Sequence, residues 1–136
     1  MPREKILLPD TNTILRYLLK DIPDHFKKAN DIFELVRLGE RQAIILESVV
    51  LESVYVLTKF YKVPKDDTST EIRHILNYKG IRNPDRNDLI EALEIFSSEN
   101  LDLADCILIA KARSGAMELF TFDEGMIKIS KKYAAR

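Results

Sequence analysis

The sequence holds a single cysteine, Cys106, in 136 residues. One thiol can build neither a disulfide framework nor a thiolate zinc site, and the composition suits a reducing interior. The two histidines, His25 and His74, stand alone, so no imidazole cluster competes for a metal. The four glycines form no phosphate-cradling loop, which argues against an NTPase. No apolar run approaches the roughly 18 residues of a membrane span. Charge of one sign is also missing: 21 basic residues face 22 acidic ones, for a net charge of -1. That excludes a strongly cationic surface but leaves room for a local basic patch. The stretch Met1 to Lys5 has no signal-peptide apolar region, so a soluble cytoplasmic protein is expected. There is no repeat, low-complexity segment or linker. The 46% hydrophobic content suits one globular domain, residues 1–136, with one core.

Taken in order, the chain alternates short apolar runs with helical patterns. Residues 5–9 read as a buried strand that ends near Pro9, which has no N–H to give a ladder. A helix over 12–20 follows, with Ile14, Leu15, Leu18 and Leu19 at helical spacing. Pro23 and Asp24 suit the start of a second helix, 24–38, and Gly39 its C-terminal cap. Residues 42–46 read as another buried strand. The apolar stretch 48–61 is rich in β-branched residues, yet its length and Ser48 as a cap favour helix. Helices are predicted over 65–79, closed by Lys79-Gly80, and over 87–99. The last long helix runs from Leu101 to Arg113. Residues 118–122 read as a strand before a short closing helix, 124–131. Strands separated by helices imply parallel pairing and an α/β fold.

The acids carry the chemical argument. Asp10 and Asp123 each follow an apolar strand and open a helix, and in open parallel sheets ligands sit beyond such strand ends. The simpler reading of each is a helix cap. Glu52 lies inside the most apolar helix, where a buried carboxylate needs a partner or a metal; the bland alternative is a solvated helix edge. Asp102 and Asp105 open the last long helix on one face, three residues apart. Asp102 suits the cap, while Asp105, between Ala104 and Cys106, can sit in a tight site. Converging carboxylates repel one another, and a divalent cation relieves that. Hard oxygen ligands select Mg²⁺ or Mn²⁺, and such a site suits phosphodiester hydrolysis.

Asp10-Thr11-Asn12 after a strand, Glu52 in Val-Leu-Glu-Ser-Val-Tyr-Val-Leu, Leu-Asp-Leu-Ala-Asp-Cys-Ile-Leu-Ile-Ala from Leu101, and Thr121-Phe-Asp123 together resemble the PIN-domain family. The nearest likeness is to the VapC-type toxin ribonucleases of toxin–antitoxin pairs. The ordered set is specific where no single motif is, and it spans nearly the whole chain. The resemblance implies a three-layer α/β/α sandwich with a central, mainly parallel sheet. It also implies metal-dependent RNA cleavage with Mg²⁺ or Mn²⁺. By position, Asp10, Glu52, Asp105 and Asp123 are the catalytic and metal-binding set. Asn12, Thr121 and Asp102 are supporting residues. A small antitoxin protein and a homodimer are implied as partners. Pro9, where an apolar residue is usual, is a small departure.

RNA approaching an acidic site needs cations at its rim. Arg16 and Lys20 share a helix face at four-residue spacing, and Arg16 also fits the family's first helix. Lys59, Lys62, Lys79 and Arg82 are further candidates for phosphate contacts, though each is also an ordinary solvated side chain. Three rival readings stand beside the toxin. A receiver-like phosphoacceptor domain would need a second acid beside Asp10 and a lysine after a late strand, and neither is present. A housekeeping RNA-processing nuclease and a non-catalytic binding module share the fold.

Overall fold

The computed structural model describes residues 4–115 and 117–134. Met1 to Arg3, which belong to the N-terminal stretch without an apolar signal region, lie outside the described residues. The chain divides into two compact units, Met1–Arg86 and Asn87–Arg136.

In the first unit, α1 (Thr11–Leu19) packs on α2 (Pro23–Leu38) and on α3 (Glu47–Tyr55). Helix α3 runs on into a π-helical turn, Val56–Phe60, and α4 (Lys65–Leu76) packs against α3. Local chemistry sets the ends. Asp10 caps α1, and Lys20 closes it in the left-handed region, φ 56°. Pro23 opens α2, whose end is closed by Gly39 at φ 82°, a conformation that suits glycine. Helix α3 begins one residue earlier than expected: Leu46 occupies the cap position without a side-chain bond, so Ser48 does not cap it. Ile14, Phe33, Val36, Val50, Leu57, Ile72, Ile75 and Leu76 form the buried interior. Tyr17 stacks on Phe33 with ring centroids 4.5 Å apart, and its hydroxyl shares a 2.6 Å hydrogen bond with that of Tyr78.

The expected sandwich with a central parallel sheet is not formed: the described residues contain helices and no strand. What remains of parallel pairing is two isolated bridges, Leu7 to Ala43 and Ala43 to Ile81. Leu7 N–H donates to Gln42 O (2.9 Å) and Ile44 N–H to Leu7 O (3.0 Å). Ala43 N–H donates to Gly80 O (2.9 Å) and Arg82 N–H to Ala43 O (2.8 Å). Two features stop these bridges from growing. Pro9 offers no N–H beyond Leu7. Beyond Ala43, the side-chain amide of Asn83 replaces a strand backbone: Ile45 N–H donates to its Oδ1 (2.9 Å), and its Nδ2 donates to Ile45 O (2.6 Å). Gly80 is needed where it stands. A Cβ there would overlap the main-chain oxygen of Arg41 and lie 2.8 Å from that of Val36.

The second unit consists of α5 (Arg86–Ser98), which begins at the last residue of the first unit, α6 (Leu103–Ser114) and α7 (Glu124–Ala134). Leu89, Leu93, Ile95, Cys106, Ile109 and Ala110 are fully or almost fully buried, with Met126 and Tyr133 from α7 close behind. Leu108, although apolar, faces outward. Arg113 ties the helices together, donating from Nη1 to Glu91 (2.7 Å) and from Nε to the carbonyl of Tyr133 (3.0 Å). Residues 118–122, expected as a strand, join no bridge, and Phe120 and Phe122 are 85% and 88% exposed. No helix of the described residues is long and apolar enough to cross a membrane.

Candidate active site

Three of the acids singled out in the sequence share one electrostatic neighbourhood in the second unit. Asp102 stands in extended conformation (φ -69°, ψ 152°) at the cap position of α6. Its carbonyl accepts the N–H groups of Asp105 and Cys106, each at 3.1 Å, while its carboxylate makes no capping bond. The cap reading of Asp102 therefore holds for its backbone only. Asp105, in the first turn of α6, is half-buried between two small neighbours. Its carboxyl is held above the usual aspartate range, first by burial, then by the negative charges of Asp102 and Asp123. Burial in low dielectric and like charge both disfavour the ionised form.

Asp123 is fixed from both sides. Its Oδ1 accepts from Met126 N–H (2.9 Å), a capping bond that starts α7, and its own N–H donates to Thr121 Oγ1 (3.1 Å). Thr121 thus orients the backbone that carries the acid. The strand expected at 118–122 is absent, but the turn chemistry after it is present.

In the first unit, Asp10 performs the same local task as Asp123. Its Oδ1 accepts from Thr13 N–H (2.9 Å) and from Thr13 Oγ1 (2.7 Å). These bonds to the ionised form hold its carboxyl below the usual aspartate range. Thr13 was not singled out in the sequence. Its position three residues after a capping acid was the available signal. Asn12 is exposed beside it. Glu52, expected to be buried, is exposed, because α3 turns Val50, Ser53 and Val54 inward instead.

The two cations of α1 sit in unlike places. Arg16 is only 9% exposed. It pairs with Asp21 (2.9 Å), donates to the Tyr61 hydroxyl (3.4 Å), and leaves its buried Nε without a partner. Lys20 is exposed, with Nζ 5.6 Å from the centroid of the Phe26 ring.

Asp102, Asp105 and Asp123 are hard oxygen donors whose mutual repulsion a divalent cation would relieve, so the donor chemistry fits Mg²⁺ or Mn²⁺. Among the described residues no three acidic, histidine or cysteine side chains are already gathered at cation-holding spacing. The acids are near enough to repel but are not preassembled as a cage. No curated protein and no solved structure matches the chain. The model of the PIN domain, however, matches residues 7–132, a span that holds Asp10, Glu52, Asp102, Asp105 and Asp123. The chain therefore belongs to the PIN-domain family, a superfamily of nuclease type whose members act on RNA and are generally metal-dependent.

Proposed function

We propose that this chain is a metal-dependent endoribonuclease that hydrolyses RNA phosphodiester bonds, and that it is the toxin of a toxin–antitoxin pair. The observation that carries the reading is the PIN match over residues 7–132, with Asp10, Glu52, Asp105 and Asp123 all inside it. These four carboxylates are the metal-holding set, taking Mg²⁺ or Mn²⁺ directly or through water. A bound ion would supply an activated water and a counter-charge for the extra negative charge of the phosphoryl transition state.

The chain's own residues prepare that task. Thr13 keeps Asp10 ionised through two hydrogen bonds. Thr121 and the first turn of α7 hold Asp123 in place. Asp102 adds negative charge beside Asp105, which raises the affinity for a cation at the cost of repulsion without one. Asn12, exposed two residues after Asp10, would take the supporting role beside it. Lys20, exposed at the end of α1, is suited to a phosphate, whereas Arg16 is committed to Asp21 and Tyr61. On this reading the protein works in the cytoplasm as a homodimer, silenced by a small antitoxin that sets a basic side chain against the acids.

The test is cleavage of a mixed pool of structured and single-stranded RNAs by protein freed of any co-purifying partner. Cuts should require Mg²⁺ or Mn²⁺, vanish in EDTA, and vanish in Asp10→Asn, Asp105→Asn and Asp123→Asn. Cutting that survives EDTA and all three substitutions would overturn the reading. So would a folded, metal-supplied protein that leaves every RNA intact.

A further inference from the structure

We propose that Tyr55, Phe60 and Tyr61, together with Lys59 and Lys62, form a stacking platform for unpaired nucleotides of single-stranded RNA. The proposal rests on the nuclease reading and names the form of RNA that it would take.

The π turn is what brings Tyr61 to the surface beside Phe60. In α3 the inward stripe runs through Val50, Val54 and Leu57, all buried. Regular α-helical spacing would bring Tyr61 onto that stripe next. Instead, Val56–Phe60 is π-helical, and Tyr61 N–H donates to Val56 O at 3.1 Å. The wider turn inserts a residue and rotates the next side chains off the stripe. Tyr61 is left 38% exposed beside Phe60 at 74%, and Tyr55, the last residue of α3 before the π turn, is 65% exposed. The rings of Phe60 and Tyr61 meet edge to face with centroids 4.9 Å apart. Arg16 supports Tyr61 from beneath by donating to its hydroxyl. That guanidinium is buried, and its Nε has no partner.

The charge around these rings selects the occupant. No acid occurs between Glu52 and Asp66, and the interval carries Lys59, Lys62 and Lys65. Lys59 and Lys62 are both exposed. Lys62 also holds a left-handed backbone, φ 57°, where a side chain is strained and glycine would be free. Exposed rings beside cations match a nucleic acid strand, with bases for the rings and phosphates for the ammonium groups. A second copy of this chain fits less well, because a two-fold contact through this face would set the same lysines against each other. A duplex fits less well too, since its base faces are already stacked. Glu52 lies one turn before Tyr55 on α3, so both are on one side of that helix. A strand lying on the rings would thus run beside one of the proposed metal-holding acids.

The test is binding in EDTA, where cleavage does not intervene. The full chain is titrated into a labelled single-stranded oligouridylate of about 12 nucleotides, and into an RNA duplex of the same length. Single strands should bind more tightly than the duplex. Phe60→Ala and Tyr55→Ala should each weaken single-strand binding about tenfold, and Phe60→Tyr should restore it. Changing Lys59 and Lys62 together to Ala should lower the slope of log K against log salt by about 1.4. Circular dichroism checks that each variant folds. Equal single-strand affinity in wild type, Phe60→Ala and Tyr55→Ala overturns the proposal, as does a duplex bound as tightly as the single strand. Light scattering gives the remaining outcome. If Phe60→Ala dissolves a dimer while RNA affinity stays, the face belongs to a second copy and the proposal fails. A chain that binds as expected but never cuts would defeat only the nuclease reading, and a chain that cuts regardless of Phe60 and Tyr55 would defeat only this one.

Discussion

Single side chains decide more here than their position in the sequence suggests. Asp10 combines a capping bond with its proposed role at the metal, and the two can be separated. Asparagine caps about as well as aspartate, whereas alanine cannot cap. Asp10→Asn should leave the melting temperature nearly unchanged while abolishing cleavage. Asp10→Ala should abolish cleavage and also cost about 1 kcal/mol in urea denaturation. A second residue-scale effect lies at Tyr17. Its phenol is pushed well above its ordinary value of 10.0, first by burial and then by the hydrogen bond with Tyr78. The native state therefore holds a proton that the unfolded chain gives up first. The resulting stability is fully present below pH 10 and is lost as pH rises beyond it. Denaturation measured from pH 8 to 11 should show this decline, and Tyr17→Phe should flatten it. At this scale the sequence was legible for the acids that open helices, Asp10 and Asp123, because capping is a local matter. Glu52 was misjudged because its burial depends on which way the whole of α3 is rotated. Thr13, the partner of Asp10, carries only the signal of its place three residues after a capping acid, and Asp21, the partner of Arg16, carries none of its own.

Among the elements, helices were readable to within a few residues, while strands were not. Helical spacing and caps are written into neighbouring residues, so Pro23, Gly39 and Asp102 mark ends that the chain uses. A strand needs a partner distant in sequence. Residues 42–46 do alternate, with Ala43 and Ile45 buried, yet the pairing there is one bridge deep on each side. Asn83 shows why a pattern could not reveal this: a side-chain amide closes the hydrogen bonds of Ile45 where a ladder would have continued. The π turn after Tyr55 was also invisible, since 48–61 reads as one continuous helix. Gly80 looked like a simple stop after α4, but it is a point of contact between segments. Its N–H meets Val36 O, its carbonyl meets Ala43 N–H, and it leaves no room for a methyl group. Gly80→Ala should therefore cost about 1–3 kcal/mol by chemical denaturation, through overpacking against rigid backbone. Gly115→Ala, whose nearest neighbour at 3.0 Å is the flexible end of the Met117 side chain, should cost less.

For the whole molecule, length and composition point to one domain, and the folded chain groups into two compact units. The PIN match runs through both, from residue 7 to residue 132. We propose that residues 1–136 nevertheless unfold as one cooperative domain. Cys106 supplies the measurement. It is fully buried in α6 of the second unit, whereas the Tyr17–Phe33 stack belongs to the first. Thiol labelling and the near-ultraviolet tyrosine signal of a Tyr133→Phe variant, whose remaining tyrosines all lie in the first unit, should therefore report the same urea midpoint, and well-separated midpoints would mean two domains. Near-neutral charge and the lack of histidine clusters narrowed the chemistry toward acids, but composition holds no information on how the units divide.

The burial of that one thiol has a further use. A thiol reagent can reach Cys106 only after α6 lets go of its packing, and Asp105 is its immediate neighbour in the chain. The reaction time is therefore an intrinsic clock for how often the acid-bearing helix opens. Anything that grips the carboxylates, whether an ion or an inhibitory protein, should make the clock run slower. It could be read by mass spectrometry on the unmodified chain, even in a crude extract.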